Sequence, residues 1–500
     1  MGRRSWRILA AGAIACAAAT AAAAAPPAAG KATPPDRHCR PDATLLDLPL
    51  RTEPEWYGLY VGDKKVGWLK TSSGLETRDG KRVRVGREEM LVEARVGERV
   101  VRRQVAEERV YEPGRRGRLL ALQTEFTGDG GNRSLRVTCA PTTCKAEITA
   151  DDGRRTTEFP HPGETAEQGE AARLAARTCK PVSGAQLQSD DLRVKKMTSR
   201  YAGRTRVGGA GVEVPVSIVE EKEDGDRVAP RVLVSDDGRI LETRVGDGMV
   251  IRLEPAEIAR RLDVVDLFTM LRVPLPAPLP REVPMSITFA LQGLPSGFDL
   301  DDPRQKAVPG AGGETLLTVT AREFGGPDAP RGKPAPRGDA DQATTIEIDW
   351  DHPAIRDLAA ALAGDTTGAW ATARKLSRAV HDRLDKVYGQ SRDRASEILK
   401  QGKGDCTEHT RLFVALARAA GIRAREVKGL VFANYGQGGP GLYWHAWAEV
   451  QVGAEWIAVD PTFGQDVADA THIALGRGSR QDAIALVGSL RVSRADARKP

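Results

Sequence analysis

The stretch Gly404–Arg425, GDCTEHTRLFVALARAAGIRAR, decides how the rest of the chain is read. Leu412, Phe413, Leu416, Ala417 and Ala420 recur at a period near 3.6, which predicts a helix packed into a core. Asp405 is a natural N-cap, Glu408 stands where a capping box returns its carboxylate, and Gly421 supplies a left-handed C-cap. Cys406 then takes the first helical position, where the helix dipole and free backbone N–H groups favour a thiolate and offer a place for an oxyanion. A lone cysteine is more often a small apolar residue filling a core, so the nucleophile reading depends on partners elsewhere in the chain.

Those partners are expected downstream. YWHAWAEVQV, Tyr443–Val452, alternates as a strand, and AEWIAVDPTF, Ala454–Phe463, forms a second one after a turn at Gly453. His445, Trp447 and Glu449 share one face; antiparallel pairing brings His445 level with Asp460. A buried carboxylate beside a histidine is the orienting member of a catalytic triad. The remaining histidines read as bystanders: His38, His161, His352 and His472 fall in tethers, turns or element ends, and His381 lies on a solvated helix face. His409, three residues after Cys406, reads as an outer-shell or surface residue.

These three motifs, in this order, resemble the transglutaminase-like superfamily over about residues 350–478, including a tail, ATHIALGRG, similar to that of bacterial exported members. The resemblance implies an α+β fold: a C-terminal papain-like core of helices plus antiparallel sheet, preceded by β-rich domains. It implies Cys406 as nucleophile, His445 as general base and Asp460 as orienting acid. The expected activity is acyl transfer or hydrolysis at a glutamine carboxamide or peptide bond through a thioester. Animal transglutaminases use an upstream tryptophan N–H as oxyanion donor and papain-like proteases a glutamine before the cysteine. Here the Cys406 N–H and Gln401 are the candidates, with Asp405 and Trp447 in the surrounding shell, while Trp370 reads as helix core. Two alternatives stand beside this reading: a cysteine peptidase or amidase, and a non-catalytic envelope scaffold or binding protein. No DxDxDG calcium loop occurs, Asp299, Asp301 and Asp302 read as a solvated loop, and neither metal nor cofactor is expected.

The chain has 500 residues, enough for about three domains. Its net charge of +6 is spread over 74 basic and 68 acidic side chains, with no basic tract of the kind that tracks nucleic acid. Arg3, Arg4 and Arg7 precede an Ala-rich apolar run, so residues 1–25 read as a signal peptide and the chain as exported: periplasmic, envelope-associated or secreted. Membrane attachment is expected only if Cys16 carries a lipid; a protein or peptide substrate and cell-envelope components are the expected partners. Residues 26–40 form a linker, 41–185 a β-rich domain, 186–349 a second β-rich region and 350–490 the transglutaminase-like domain.

Within the front part, a hairpin is expected around Gly62-Asp63 and strands at 82–85, 90–96, 107–111 and 119–126. A helix is expected over 255–272 and a strand over 344–349. Cys39, Cys139, Cys144, Cys179 and Cys406 remain in the mature chain, an odd number for an oxidising compartment. Four cysteines allow three pairings; a local loop from Cys139 to Cys144 would leave Cys39 with Cys179 and Cys406 unpaired.

Overall fold

The computed structural model describes residues 38–498 apart from 97, 130, 151–152, 210–211, 224–227, 267–269, 271, 278, 281–283, 296–297, 299, 334–341, 389–393, 436–438 and 479–485. The expected signal peptide, Cys16 and nearly all of the linker lie outside the described residues. No described helix is long and apolar enough to cross a membrane.

Alternation of buried and exposed side chains, broken by Gly and Asp turns, makes the front of the molecule a meander of antiparallel strands. The first run is β1 (Glu55–Val61), β2 (Lys64–Arg78), β3 (Lys81–Val96), β4 (Arg99–Tyr111), β5 (Leu119–Gly128), β6 (Arg133–Cys139), β7 (Thr143–Ala150) and β8 (Gly153–Pro160). Two short helices, α1 (Ala166–Gly169) and α2 (Ala171–Thr178), lead to a second run. It comprises β9 (Val182–Leu187), β10 (Val194–Gly209), β11 (Val212–Glu223), β12 (Arg231–Ser235), β13 (Ile240–Val245) and β14 (Met249–Glu254). The hairpin at Gly62-Asp63 forms, and Gly62 takes the positive φ its turn needs.

The two runs are one sheet. β1 pairs with β14, from Trp56 opposite Glu254 to Val61 opposite Met249, so fourteen strands run in the order β8 back to β1 and then β14 back to β9. The boundary expected between residues 185 and 186 therefore falls inside a continuous structure. Leu187 of β9 packs in one cluster with Leu119, Leu122 and Leu135 of β5 and β6, although they belong to opposite halves of the sheet. The sheet thus rolls around α2, whose Ala172, Ala175 and Ala176 fill its concave side.

The roll also buries charge. Glu164 accepts from Arg109 Nη1 at 2.9 Å, Tyr111 Oη at 2.7 Å and the Leu187 N–H at 2.7 Å, while Arg109 Nε donates to Glu107 at 2.6 Å. Cys39 with Cys179 and Cys139 with Cys144 form the two disulfides. The first ties the entry of the chain to the end of α2.

Beyond the roll, the helix expected over 255–272 is not continuous: Ala256–Ala259 (α3) is helical, residues 261–265 are not, and Met270, whose N–H reaches the Asp266 carbonyl at 3.0 Å, is helical again. The short strand β15 (Arg272–Val273) follows, then β16 (Ser286–Gln292), β17 (Gln305–Pro309) and β18 (Thr315–Thr320). These last three form a four-stranded sheet with the final strand of the chain, β25 (Arg491–Arg498). Residues 344–349 form a bent, irregular segment rather than a strand, and the Asp349 carboxylate at its end accepts from Arg394, Ser396 and Arg155.

The C-terminal core opens with α4 (Pro353–Ala363) and α5 (Ala369–Arg383). Then come β19 (Asp385–Lys386), α6 (Ala395–Gln401), β20 (Lys403–Gly404) and α7 (Cys406–Ala419). α7 is buried on all sides, with Leu412, Phe413, Val414, Ala415 and Leu416 at most 1% exposed. It packs against β22 and β21 and against α4, α5 and α6. Its sheet comprises β21 (Ala424–Tyr435), β22 (Gly439–Val452), β23 (Glu455–Val459) and β24 (Ile473–Arg477). β22 is flanked by β21 on one side and by β15 and β23 on the other, and β24 pairs with β21. Helices at the C-terminal end and antiparallel sheet before and among them make the architecture α+β.

Candidate functional site

The front end of α7 is built as its sequence requires. Asp405 accepts from the Thr407 N–H at 2.9 Å, and Glu408 Oε2 accepts from the Asp405 N–H at 2.7 Å, closing a capping box. Gly404 is needed because a Cβ there would lie 2.2 Å from Glu408 Cβ. Gly421 takes φ +80° just after the helix. Cys406 occupies the first helical position, half-buried, and is a free cysteine.

His445 projects from β22, and the turn after β23 delivers Asp460. His445 Nε2 lies 2.8 Å from Asp460 Oδ2, and both side chains are buried. The other carboxylate oxygen accepts from the N–H groups of Thr462 at 2.7 Å and Phe463 at 3.0 Å. His381, expected on a solvated face, reaches from α5 to the carbonyls of Pro461 and Thr462 at 3.2 and 3.1 Å and holds that turn. Phe463 stacks on the His445 ring, 4.8 Å between centroids. Trp447 is fully buried behind the pair. Gly429 makes room for it: a Cβ would come within 2.7 Å of the indole and 1.9 Å of the Ile473 carbonyl.

A second histidine, read from sequence as a surface residue at an element end, completes this cluster. His472 is fully buried, with Nε2 3.0 Å from the same Asp460 Oδ2 and Nδ1 3.0 Å from Asp469 Oδ1. It arrives with β24, whose pairing with β21 sets Ile473 opposite Leu430. His409 is also buried rather than superficial. Its Nδ1 donates to the Asp405 carbonyl at 2.8 Å, and burial pushes its titration down. Gln401 stands at the C-terminal end of α6 and Asp405 is spent as a cap.

Electrostatics at the thiol run against the expectation. Burial, then the Asp405 carboxylate, push the Cys406 thiol well above its usual range, opposed by a hydrogen bond with the Ala446 backbone; Glu408 and Asp460 add to the rise. A helix dipole is worth about 0.3–1 kcal/mol to an exposed charge and up to about 2 kcal/mol to a partly buried one, and here it is opposed by burial and by the nearby acids together. Glu408 is itself pushed up, by burial and then by Asp405. At Asp460 burial works the other way from His445 and His472, which together hold the carboxyl far below the ordinary range.

Fold and site together define a papain-like α+β core, with a capped helix meeting an antiparallel sheet. Residues 356–461 match the transglutaminase-like superfamily core, so this segment carries a domain of that superfamily. No curated protein matches the chain. Among solved structures, a candidate cysteine protease from Cytophaga hutchinsonii aligns at 18% identity over 43% of this chain and 85% of its own, with a TM-score of 0.28. A β-barrel-like domain of unknown function from Brucella abortus aligns at 10% identity over 41% and 97%, TM-score 0.30. A candidate protease from Parabacteroides distasonis aligns at 12% identity over 80% and 70%, TM-score 0.19.

The expected thiol enzyme is corrected by these findings. Two of the three His-, Cys- or acid-rich clusters among the described residues contain cysteine: His38 with Cys39 and Cys179, and Cys139 and Cys144 with His161. In both the sulfurs are tied up in disulfides. The third, His445–Asp460–His472, contains no sulfur, and burial and the neighbouring acids push the Cys406 thiol well above its usual range. Acyl transfer or hydrolysis through a Cys406 thioester, of transglutaminase or protease type, is therefore not the activity this geometry supports. The disulfides were expected, and they are present.

Proposed function

We propose that this chain is a non-catalytic binding or scaffold protein of the cell envelope, in which the transglutaminase-like core is a folded module and not a working thiol centre. The observation that carries the reading is the setting of Cys406: a half-buried thiol at the head of a helix capped by two acids, where burial and those acids push its titration well above the usual range. Two disulfides fit an oxidising, extracytoplasmic compartment. The partner class is a protein or peptide. β8, at one end of the fourteen-stranded order, is largely exposed and offers the kind of edge to which an extended segment adds as a further strand.

The test uses purified protein under reducing conditions that spare the disulfides. A glutamine-containing protein and a labelled amine are incubated with the wild-type chain and with Cys406→Ala. Neither incorporation nor cleavage above background is expected from either protein. Incorporation or cleavage that disappears in Cys406→Ala would overturn the reading.

A further inference from the structure

We infer that His472 is a fixed imidazolium at neutral pH, a positioning residue that supplies the counter-charge of Asp460 and leaves the His445 ring neutral. The inference goes beyond the proposed function and rests on hydrogen-bond accounting around one buried ring. An ionised carboxylate only accepts hydrogen bonds, and a neutral imidazole carries a single N–H. Both nitrogens of His472 face carboxylate oxygens at 3.0 Å, those of Asp469 and Asp460. With the ring fully buried, a neutral His472 would aim a lone pair at one of these oxygens with no water to separate them.

Both acids are furnished with donors as ions are. Asp460 Oδ1 takes the N–H groups of Thr462 and Phe463, and its Oδ2 takes both histidine rings. Asp469 Oδ1 takes the Thr471 N–H and hydroxyl as well as His472, and its Oδ2 takes the Gln465 amide. The Arg304 guanidinium approaches from the segment before β17, donating to the carbonyls of Ala468 and Asp469 at 2.8 Å. On the remaining sides His472 meets Trp447 edge-on at 5.1 Å, His445 at 5.9 Å and Phe463 at 6.3 Å between centroids. Cys406 and His409 on α7 also lie within electrostatic reach of Asp460.

His445 has a different requirement. Its bond to Asp460 needs one N–H at Nε2, which a neutral tautomer provides. A second positive ring beside His472 would be repelled by it, while Asp460 already has its counter-ion. The arrangement therefore assigns the cluster's extra proton to His472 and makes His445 a poor acceptor of a proton from Cys406.

The experiment is nitrogen-15 NMR of histidine ring nitrogens in the full chain. At pH 7, His472 is expected to show protons on both ring nitrogens and His445 on one. In His472→Gln, His445 is expected to gain a second ring proton at pH 7, a change that a purely packing role for His472 does not produce. Asp469→Asn is the milder variant and should weaken the proton affinity of His472 at least tenfold. A singly protonated His472 in the wild-type chain, an unchanged affinity in Asp469→Asn, or a His445 indifferent to His472→Gln would each overturn the inference. So would a His472 Nε2 that carries a proton only after a chelator is added, since one ligand-type atom each of His445, Asp460 and His472 lie within 4.8 Å of one another and a cation there would displace the Nε2 protons of the two rings. Ring protonation is read independently of Cys406 chemistry, so failure here is distinct from failure of the proposed function.

Discussion

The molecule buries two charge networks, and they are made of different cations. Inside the rolled sheet Arg109 meets Glu107 and Glu164, and Arg173 meets Glu170; in the C-terminal core His445 and His472 meet Asp460 and Asp469. A guanidinium keeps its charge at every pH a protein survives, so the front network acts as fixed structure. An imidazole, unlike a guanidinium, can lose its proton within the pH range a protein survives, so the second network responds to pH and to its surroundings. The regions also differ in covalent support, since both disulfides lie in the front part.

Breaking the front part should have the larger effects. Replacing Cys39 and Cys179 by Ala opens a loop of sequence separation 140, against 5 for Cys139 and Cys144. Loop-closure entropy puts the losses at about 5 and about 2 kcal/mol respectively, as upper values. Denaturant midpoints of the two double variants, followed by β-sheet circular dichroism, should fall in that order. Glu164→Gln leaves Arg109 with one carboxylate partner in a buried site and is expected to cost roughly 3–5 kcal/mol. Hydrogen exchange should place that loss in β4, β5 and β9 and leave α7 protected.

The pH dependence sharpens the contrast. His472 titrates above its ordinary value: burial pulls it down, but Asp460 and Asp469 outweigh it. Its contribution is full below the unfolded value near pH 6.5 and is lost as pH rises through the folded one. Glu408 acts in the same direction from a lower starting point, because its folded carboxyl is also raised. Asp460 and Asp469 are depressed, so their contribution is present above about pH 4 and is lost in acid. The C-terminal core should therefore lose stability on the alkaline side by up to about 1.4 kcal/mol per pH step for each linked proton, while the arginine network of the roll does not. Hydrogen exchange at pH 6.5 and 8.5, corrected for intrinsic rates, compares the two regions in one molecule.

The smallest effect is expected at the helix cap. Asp405→Ala removes the acceptor of the Thr407 N–H and should cost about 1 kcal/mol. It also removes an acid that raises Cys406, so the thiol should ionise at lower pH than in the wild-type chain. Asp405→Asn should keep more of the cap while losing the charge, separating the two roles.

Features set by neighbouring residues were legible in the sequence. The turn at Gly62-Asp63, the capping box of Asp405 and Glu408, and the meeting of His445 with Asp460 each follow from spacing within one or two adjacent elements. What the sequence did not reveal depends on distant pairing. Nothing local tells Trp56 that it will lie opposite Glu254, so the front part looked like two domains. His472 sits in a short polar stretch, and only the pairing of β24 with β21 carries it under Asp460. The failure at Cys406 is of another kind: the residues that make the helix start recognisable are acids, and those acids raise the thiol that the dipole was expected to lower.

The most direct test of the account is the pH profile of Cys406 alkylation by iodoacetamide in the intact, disulfide-bonded chain, measured with and without His445→Ala. The account predicts slow labelling that rises only on the alkaline side of an ordinary thiol and is unchanged in His445→Ala. A rapid, flat rate extending below pH 7 that collapses in His445→Ala would contradict it, because it would mean a thiolate–imidazolium pair at the head of α7.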